Sequence, residues 1–230
     1  MIKRLGLIGG SGWPSTLEYY RLLNTYFGER RGGGHALDFV LRNLDFEVFR
    51  ELLDQGQKPK AVRMLIEGAL DCKKAGATFL AFSANGLHRF WPEMKEAVDL
   101  PLVHIAEATA QAVSSSGLKT VGLLGVRATM EASFYPEHLR ELGIATLIPN
   151  DADKAQIDRI IFEELVRGTF TKASKVVYLQ VMDRLVQRGA EGIILGCTEI
   201  PLLINQTDSV HPLFATTEIH CKAILKFALN

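Results

Sequence analysis

A strand–helix pattern runs through this chain twice, and the repetition narrows the available folds more than any other feature. In the first round Leu5-Gly6-Leu7-Ile8 reads as a strand broken by Gly9-Gly10-Ser11-Gly12. Ser15-Thr16 then opens an amphipathic helix carrying Tyr19, Tyr20, Leu22 and Leu23. Gly32-Gly33-Gly34 marks a loop, a strand is expected near residues 38–41, and helices over 46–55 and 59–76. Strands over 78–82 and 102–105 and a helix over 106–116 complete the round. The second round sets strands at 120–125, 145–148 and 192–195 among helices at 129–142, 151–167 and 173–188. Gly76-Ala77 precedes one strand and Gly189-Ala190 precedes its counterpart, which marks the two as equivalents. Strands alternating with helices argue parallel sheets covered on both faces. The fold class is therefore α/β, in two pseudo-symmetric domains with mostly parallel sheets. Their expected extents are residues 1–104 plus 210–230, and 105–209. A short strand at 213–214 and a helix at 218–229 are expected to cross back onto the first domain.

The chemistry gathers at the ends of two equivalent strands. Gly192-Ile193-Ile194-Leu195 is a short apolar run bounded by glycine, which fits a buried parallel strand, and it ends in Gly196-Cys197-Thr198-Glu199. Ligands of open α/β sheets bind beyond the carboxyl ends of the strands. A cysteine there, ahead of a helix whose N-terminus favours thiolate, is a candidate nucleophile or acid/base with a lowered pKa. A buried structural cysteine is the competing reading. The equivalent end in the first half reads Ser83-Ala84-Asn85-Gly86-Leu87-His88, where Asn85 and His88 offer polar contacts. A lone histidine is more often structural than catalytic. The first turn, Gly6, Gly9, Gly10 and Gly12 followed by Trp13-Pro14, does not match the dinucleotide spacing. It suits a small anionic group approaching backbone N–H groups.

Charge excludes other classes. Lys+Arg and Asp+Glu are 26 each, so no net field points to nucleic acid or a membrane surface. No apolar run reaches the roughly 18 residues of a membrane span. Three widely spaced cysteines, Cys72, Cys197 and Cys221, give neither a disulfide framework nor a metal spacing and suit a reducing compartment. A strand pattern starting at the N-terminus leaves no room for a signal peptide, so the expected location is cytoplasmic.

Taken in order, Gly6-Leu7-Ile8-Gly9-Gly10, Trp13, Ser15-Thr16, Tyr19-Tyr20-Arg21, Asp45-Phe46, Asn85 with His88, Thr129-Met130-Glu131, Ile161-Phe162-Glu163-Glu164-Leu165, Gly196-Cys197-Thr198-Glu199-Ile200 and His220 cover essentially the whole chain. This set resembles the cofactor-independent aspartate/glutamate racemase superfamily, closest to its bacterial branch of broad amino-acid racemases. The resemblance implies two Rossmann-like domains with the active-site cleft between them, and a homodimer. It implies no cofactor and no metal, and a small amino-acid or related carboxylate as substrate. Two thiols, or a thiol and a hydroxyl, flank the α-carbon, one removing the proton and the other returning it to the opposite face. Carried over, Cys197 becomes the second-half acid/base, and Thr198 and Asn85 bind the α-carboxylate. Gly10, Ser11, Gly86, Val126, Thr129 and Glu199 become the remaining substrate contacts. His88, Ala215 and His220 are further cleft candidates. Arg50 is a candidate for a distal carboxylate, as is Arg167, which reads more simply as a surface residue.

The resemblance also implies a departure. The family carries Cys or Thr where this chain has Ala84, and the neighbouring Ser83 points the other way along a strand. Gly86, Val126, Ala128 and Ala215 are smaller or less polar than their family counterparts, which suggests a roomier, less polar cleft. Three functions follow: a racemase or epimerase using Cys197 on one face and another group on the other; a one-thiol decarboxylase or lyase; and a degenerate binding protein.

Overall fold

The computed structural model describes residues 2–32 and 34–230, so Gly33 of the expected glycine loop lies outside the described residues. The chain divides into two compact units, Met1–His104 with His220–Asn230, and Ile105–Ile219.

The first unit is built on a three-stranded parallel sheet, order β2-β1-β3, from β1 (Leu5–Gly9), β2 (Phe39–Asn43) and β3 (Phe79–Phe82). Its helices are α1 (Trp13–Arg31), α2 (Phe46–Asp54), α3 (Lys58–Lys74) and α4 (Trp91–Val98). Side chains alternate across the central strands. Ile8, Leu80 and Phe82 pack with Ala61, Leu65, Ala69 and Cys72 of α3. Leu5, Leu7, Phe79 and Ala81 pack with Tyr19, Leu22 and Leu23 of α1 and with Cys221, Ile224 and Leu225 near the C-terminus. With both faces covered, unbroken apolar strands are what burial requires. Helix α1 starts at Trp13, two residues before the expected Ser15, with Pro14 in its first turn, where a missing N–H costs nothing.

The second unit repeats the order with one strand added. β4 (Thr120–Leu124), β5 (Ala145–Leu147), β6 (Gly192–Leu195) and β7 (Leu213–Ala215) form a parallel sheet in the order β5-β4-β6-β7. The helices are α5 (Ile105–Ser115), α6 (Arg127–Met130), α7 (Phe134–Glu141), α8 (Asp151–Glu163), α9 (Lys172–Gln187) and α10 (Ile200–Leu203). Leu124, Ile193 and Leu195 meet Ile157, Ile160 and Ile161 of α8 and Tyr178, Val181 and Leu185 of α9. Val121, Leu123, Ile194 and Phe214 meet α5 and α7. α11 (Thr216–Leu229) closes the chain.

Three expectations change. The division falls after Ile219, not at 209/210, because β7 pairs with β6 through Ile193↔Leu213, Ile194↔Phe214 and Leu195↔Ala215. Only the residues from His220 onward join the first unit. The strand expected at 102–105 is a single parallel bridge, Leu80↔Leu102, because the chain turns into α5 at Ile105. The helix expected over 129–142 is two, separated at 131–133, with Pro136 in the first turn of the second, where proline is tolerated. No helix among the described residues is long and apolar enough to cross a membrane.

Candidate active site

In the second unit the ends of β4 and β6 come together backbone to backbone. Gly196 N–H donates to Leu124 O at 2.7 Å. A Cβ on Gly196 would stand 2.8 Å from that oxygen, so the approach requires glycine. Thr216 Oγ1 donates to Leu195 O at 3.0 Å and fixes the same strand end from the start of α11. The next residue is Cys197, half-buried, and two positions beyond Leu195, so it shares the sheet face of α8 and α9 and packs against that apolar layer. Its Sγ–H donates to Glu199 Oε2 at 3.0 Å, and Glu199 is buried.

Burial first, and then the charge of Glu199, hold the Cys197 thiol well above its ordinary pKa. This corrects the expectation of a thiol acidified by the following helix. α10 has only four residues, too few for aligned peptide dipoles to build a useful field, and a carboxylate stands beside the sulfur. Cys197 is nonetheless the accessible cysteine, since Cys72 and Cys221 are fully buried. Cys72 is pushed up to about 11 by burial and by Asp71.

Around this loop, Val126 caps the start of α6 and Ala215 ends β7, both half-buried, as is Thr198. Thr129 is fully buried, and its hydroxyl has no hydrogen-bond partner among the described residues. Asp158 accepts from the Arg127 N–H at 2.7 Å. Glu164 is held by the hydroxyls of Ser174 and Thr171.

In the first unit, Gly10 has a φ of 97°, and a Cβ there would meet Leu44 O at 2.0 Å. Its N–H donates to Thr16 Oγ1 at 3.0 Å, and the same oxygen shares a 2.9 Å hydrogen bond with Ser83 Oγ. Ser15 Oγ donates to Ser83 O at 2.5 Å. Ser83 is fully buried and ties the end of β3 to α1, whereas Ala84 belongs to the opposite, α3-facing layer. Ser11 and Gly86 are half-buried. Asn85, buried, opens the 3₁₀ turn Asn85–Phe90.

His88 and His220 are wholly buried, which makes them builders of the first unit and not exposed cleft groups. His88 Nδ1 lies 3.0 Å from Ala84 O and 3.3 Å from Asn85 O, so Nδ1 carries the proton and braces the turn. His220 donates from Nε2 to Val103 O at 2.8 Å and accepts the Tyr19 hydroxyl at Nδ1 at 2.7 Å. The rings of His104 and His220 stand 4.8 and 5.2 Å from that of His88. No set of three or more His, Cys, Asp or Glu among the described residues is arranged to hold a metal ion. Arg50 is exposed and paired with Glu47 and Asp54 on its own helix. Arg167 is exposed at the end of the 3₁₀ turn Leu165–Arg167.

Sequence reasoning missed Thr16 as the pin of the glycine turn, although a hydroxyl one helical turn past such a loop was the readable signal. It also missed Tyr178, which is 0% exposed on α9 in the apolar layer against which Cys197 packs. Its spacing with Val181 and Leu185 reads as ordinary core.

The Asp/Glu/hydantoin racemase family model matches residues 8–224. RacX, a broad-specificity amino-acid racemase of Bacillus subtilis, is 21% identical over 223 residues, 95% of each chain. The crystal structure of a Yersinia pestis protein described as a candidate Asp/Glu racemase is 40% identical, covers both chains fully and superposes with a TM-score of 0.94. An aspartate racemase homologue from Pyrococcus horikoshii, also covered in full, is 32% identical with a TM-score of 0.86. By sequence over almost its whole length, the chain belongs to the Asp/Glu/hydantoin racemase family.

Proposed function

We propose that this chain is a racemase or epimerase acting at the α-carbon of an amino acid or related carboxylic acid, with Cys197 as the proton-carrying group. The observation that carries this reading is the 3.0 Å contact between the accessible thiol and the buried Glu199 carboxylate at a strand end. A raised thiol pKa makes Cys197 a protonated resting group and a strong base once ionised. Passing the S–H proton to Glu199 leaves a thiolate. The thiolate takes the α-proton, and the C–H electron pair moves into the carboxylate to form an enediolate. Backbone N–H groups at the strand ends stabilise that developing charge. For inversion a water on the opposite face protonates the carbon, Cys197 keeps the α-proton as its S–H, and Glu199 gives its proton to the hydroxide left behind, which closes the cycle.

One observation favours a second reading, one-thiol chemistry on a single face. Ala84 carries no exchangeable proton, and the Ser83 hydroxyl is committed to Thr16 inside the fold. A one-thiol lyase would use Cys197 to protonate an enediolate left by decarboxylation.

Deuterium exchange at the α-carbon, followed by NMR over a panel of amino acids including aspartate and glutamate, tests both. Exchange with inversion supports two-face racemisation, and exchange with retention indicates one-base chemistry. Cys197→Ala should lower either rate about 10²–10⁴-fold. An unchanged rate in that variant would remove Cys197 from the mechanism.

A further inference from the structure

Three tyrosines are among the largest fully buried side chains, and two of them use their hydroxyls. Tyr19 bonds His220, and Tyr135 bonds Thr109 and Thr216. Tyr178 is the exception, because its hydroxyl is fully buried and has no hydrogen-bond partner among the described residues. Phenylalanine would fill the same space without leaving a polar atom unpaired, so a hydroxyl kept here calls for a role that the resting fold does not show.

Its surroundings are acidic. Tyr178 lies in the layer against which Cys197 packs, on the face of β6 shared by Leu195 and Cys197. Cys197, Glu199, Asp158 and Glu164 are the groups whose negative charge bears on its phenol, which burial and these neighbours hold strongly protonated. Two of the four are satisfied elsewhere, Asp158 by the Arg127 N–H and Glu164 by Ser174 and Thr171. The Cys197–Glu199 pair is bonded to itself and shares one negative charge while the thiol keeps its proton. When the proton leaves the sulfur for Glu199, the pair's negative charge moves onto the sulfur, and a donor that never ionises itself is the group that stabilises it there.

We propose that Tyr178 is a positioning residue for proton transfer at Cys197, its hydroxyl turning to donate a hydrogen bond to the Cys197–Glu199 pair as the thiolate forms. Tyr178 keeps its own proton throughout. The proton that leaves sulfur goes to the Glu199 carboxylate or to solvent, and the phenol supplies a hydrogen bond and no electrons. This rests on the reading of Cys197 as the proton carrier, but it is testable without any substrate.

The experiment is the pH profile of Cys197 alkylation by iodoacetamide, read by mass spectrometry on the intact wild-type chain and on Tyr178→Phe. The variant should keep its thermal midpoint or gain slightly, since an unpaired hydroxyl has gone. Its alkylation profile should move to higher pH by about one unit, so that labelling at a fixed pH below the transition is about tenfold slower. Superimposable profiles would overturn the proposal. If Tyr178→Phe folds poorly, Tyr178→Met, smaller but flexible and also without a hydroxyl, gives the same comparison. α-Carbon exchange separates the two ideas. No exchange in wild type with the profile still shifted defeats the proposed reaction and leaves the Tyr178 assignment standing. Normal exchange with no shift does the reverse.

Discussion

At the scale of single residues, the first unit's buried histidines make the fold sensitive to acid. His220 donates one ring proton and accepts the Tyr19 hydroxyl at the other nitrogen, so a second ring proton would displace a bond already made. Burial lowers its pKa from 6.5 to about 4. His88, wholly buried and facing His104 and His220, is lowered in the same direction, first by burial and then by its two neighbours. The unfolded chain therefore binds a proton near 6.5 that folded His220 refuses until about 4. Stability from this residue is complete above 6.5 and drains away as the pH falls through that window, by about 3 kcal/mol once below it. Thermal unfolding followed from pH 7.5 to 4.5 should show the midpoint dropping progressively below 6.5. A flat midpoint over that range would mean that these rings are hydrated. Cys197 teaches the complementary lesson about its own surroundings. The sequence places it correctly at a strand end. The sign of its pKa shift depends first on burial and then on Glu199 lying 3.0 Å from the sulfur, and no motif prints either.

At the scale of elements, one threonine fastens three of them. Thr16 Oγ1, from the first turn of α1, accepts the N–H of Gly10 after β1 and shares a hydrogen bond with the hydroxyl of Ser83 at the end of β3. Thr16→Val keeps the shape and leaves both partners unpaired, one of them fully buried. The expected cost is about 2–3 kcal/mol in urea unfolding, with Ser83→Ala milder at about 1 kcal/mol because only one bond is lost. Equal, negligible costs would mean that water replaces the threonine. Most elements are legible from apolar periodicity, including the strands flanked by Gly76-Ala77 and Gly189-Ala190. The break between α6 and α7 is not, since Glu131-Ala132-Ser133 holds neither Gly nor Pro. Only Pro136, sitting in the first turn of α7, hints that a new helix has begun.

At the scale of the molecule, the repeat is legible but its uneven ends are not. Pro101-Leu102-Val103 and Pro212-Leu213-Phe214 occupy matching places, each beside the late strand of its own sheet. In the first unit the pairing stops at one bridge, while in the second it becomes a full strand, β7, and carries the unit's limit to Ile219. A reading that treats residues 210–230 as one returning segment cuts through that strand's pairing. The second unit is continuous in sequence, so the limit can be tested directly with two fragments, residues 105–219 and 105–209. The longer keeps Ile193 N–H on Pro212 O at 2.9 Å, the buried Phe214 ring and the Thr216 bond to Leu195 O. The shorter leaves β6 as an exposed apolar edge, open to pairing with other chains. It should lose about 3 kcal/mol or more of stability, since burying one Phe side chain alone is worth about 1.5–3 kcal/mol. Urea unfolding should be cooperative for 105–219, with 105–209 shifted to lower urea or self-associating on gel filtration. Equal midpoints and equal elution for the two would show that β7 adds nothing to the second unit, and would return its limit to residue 209.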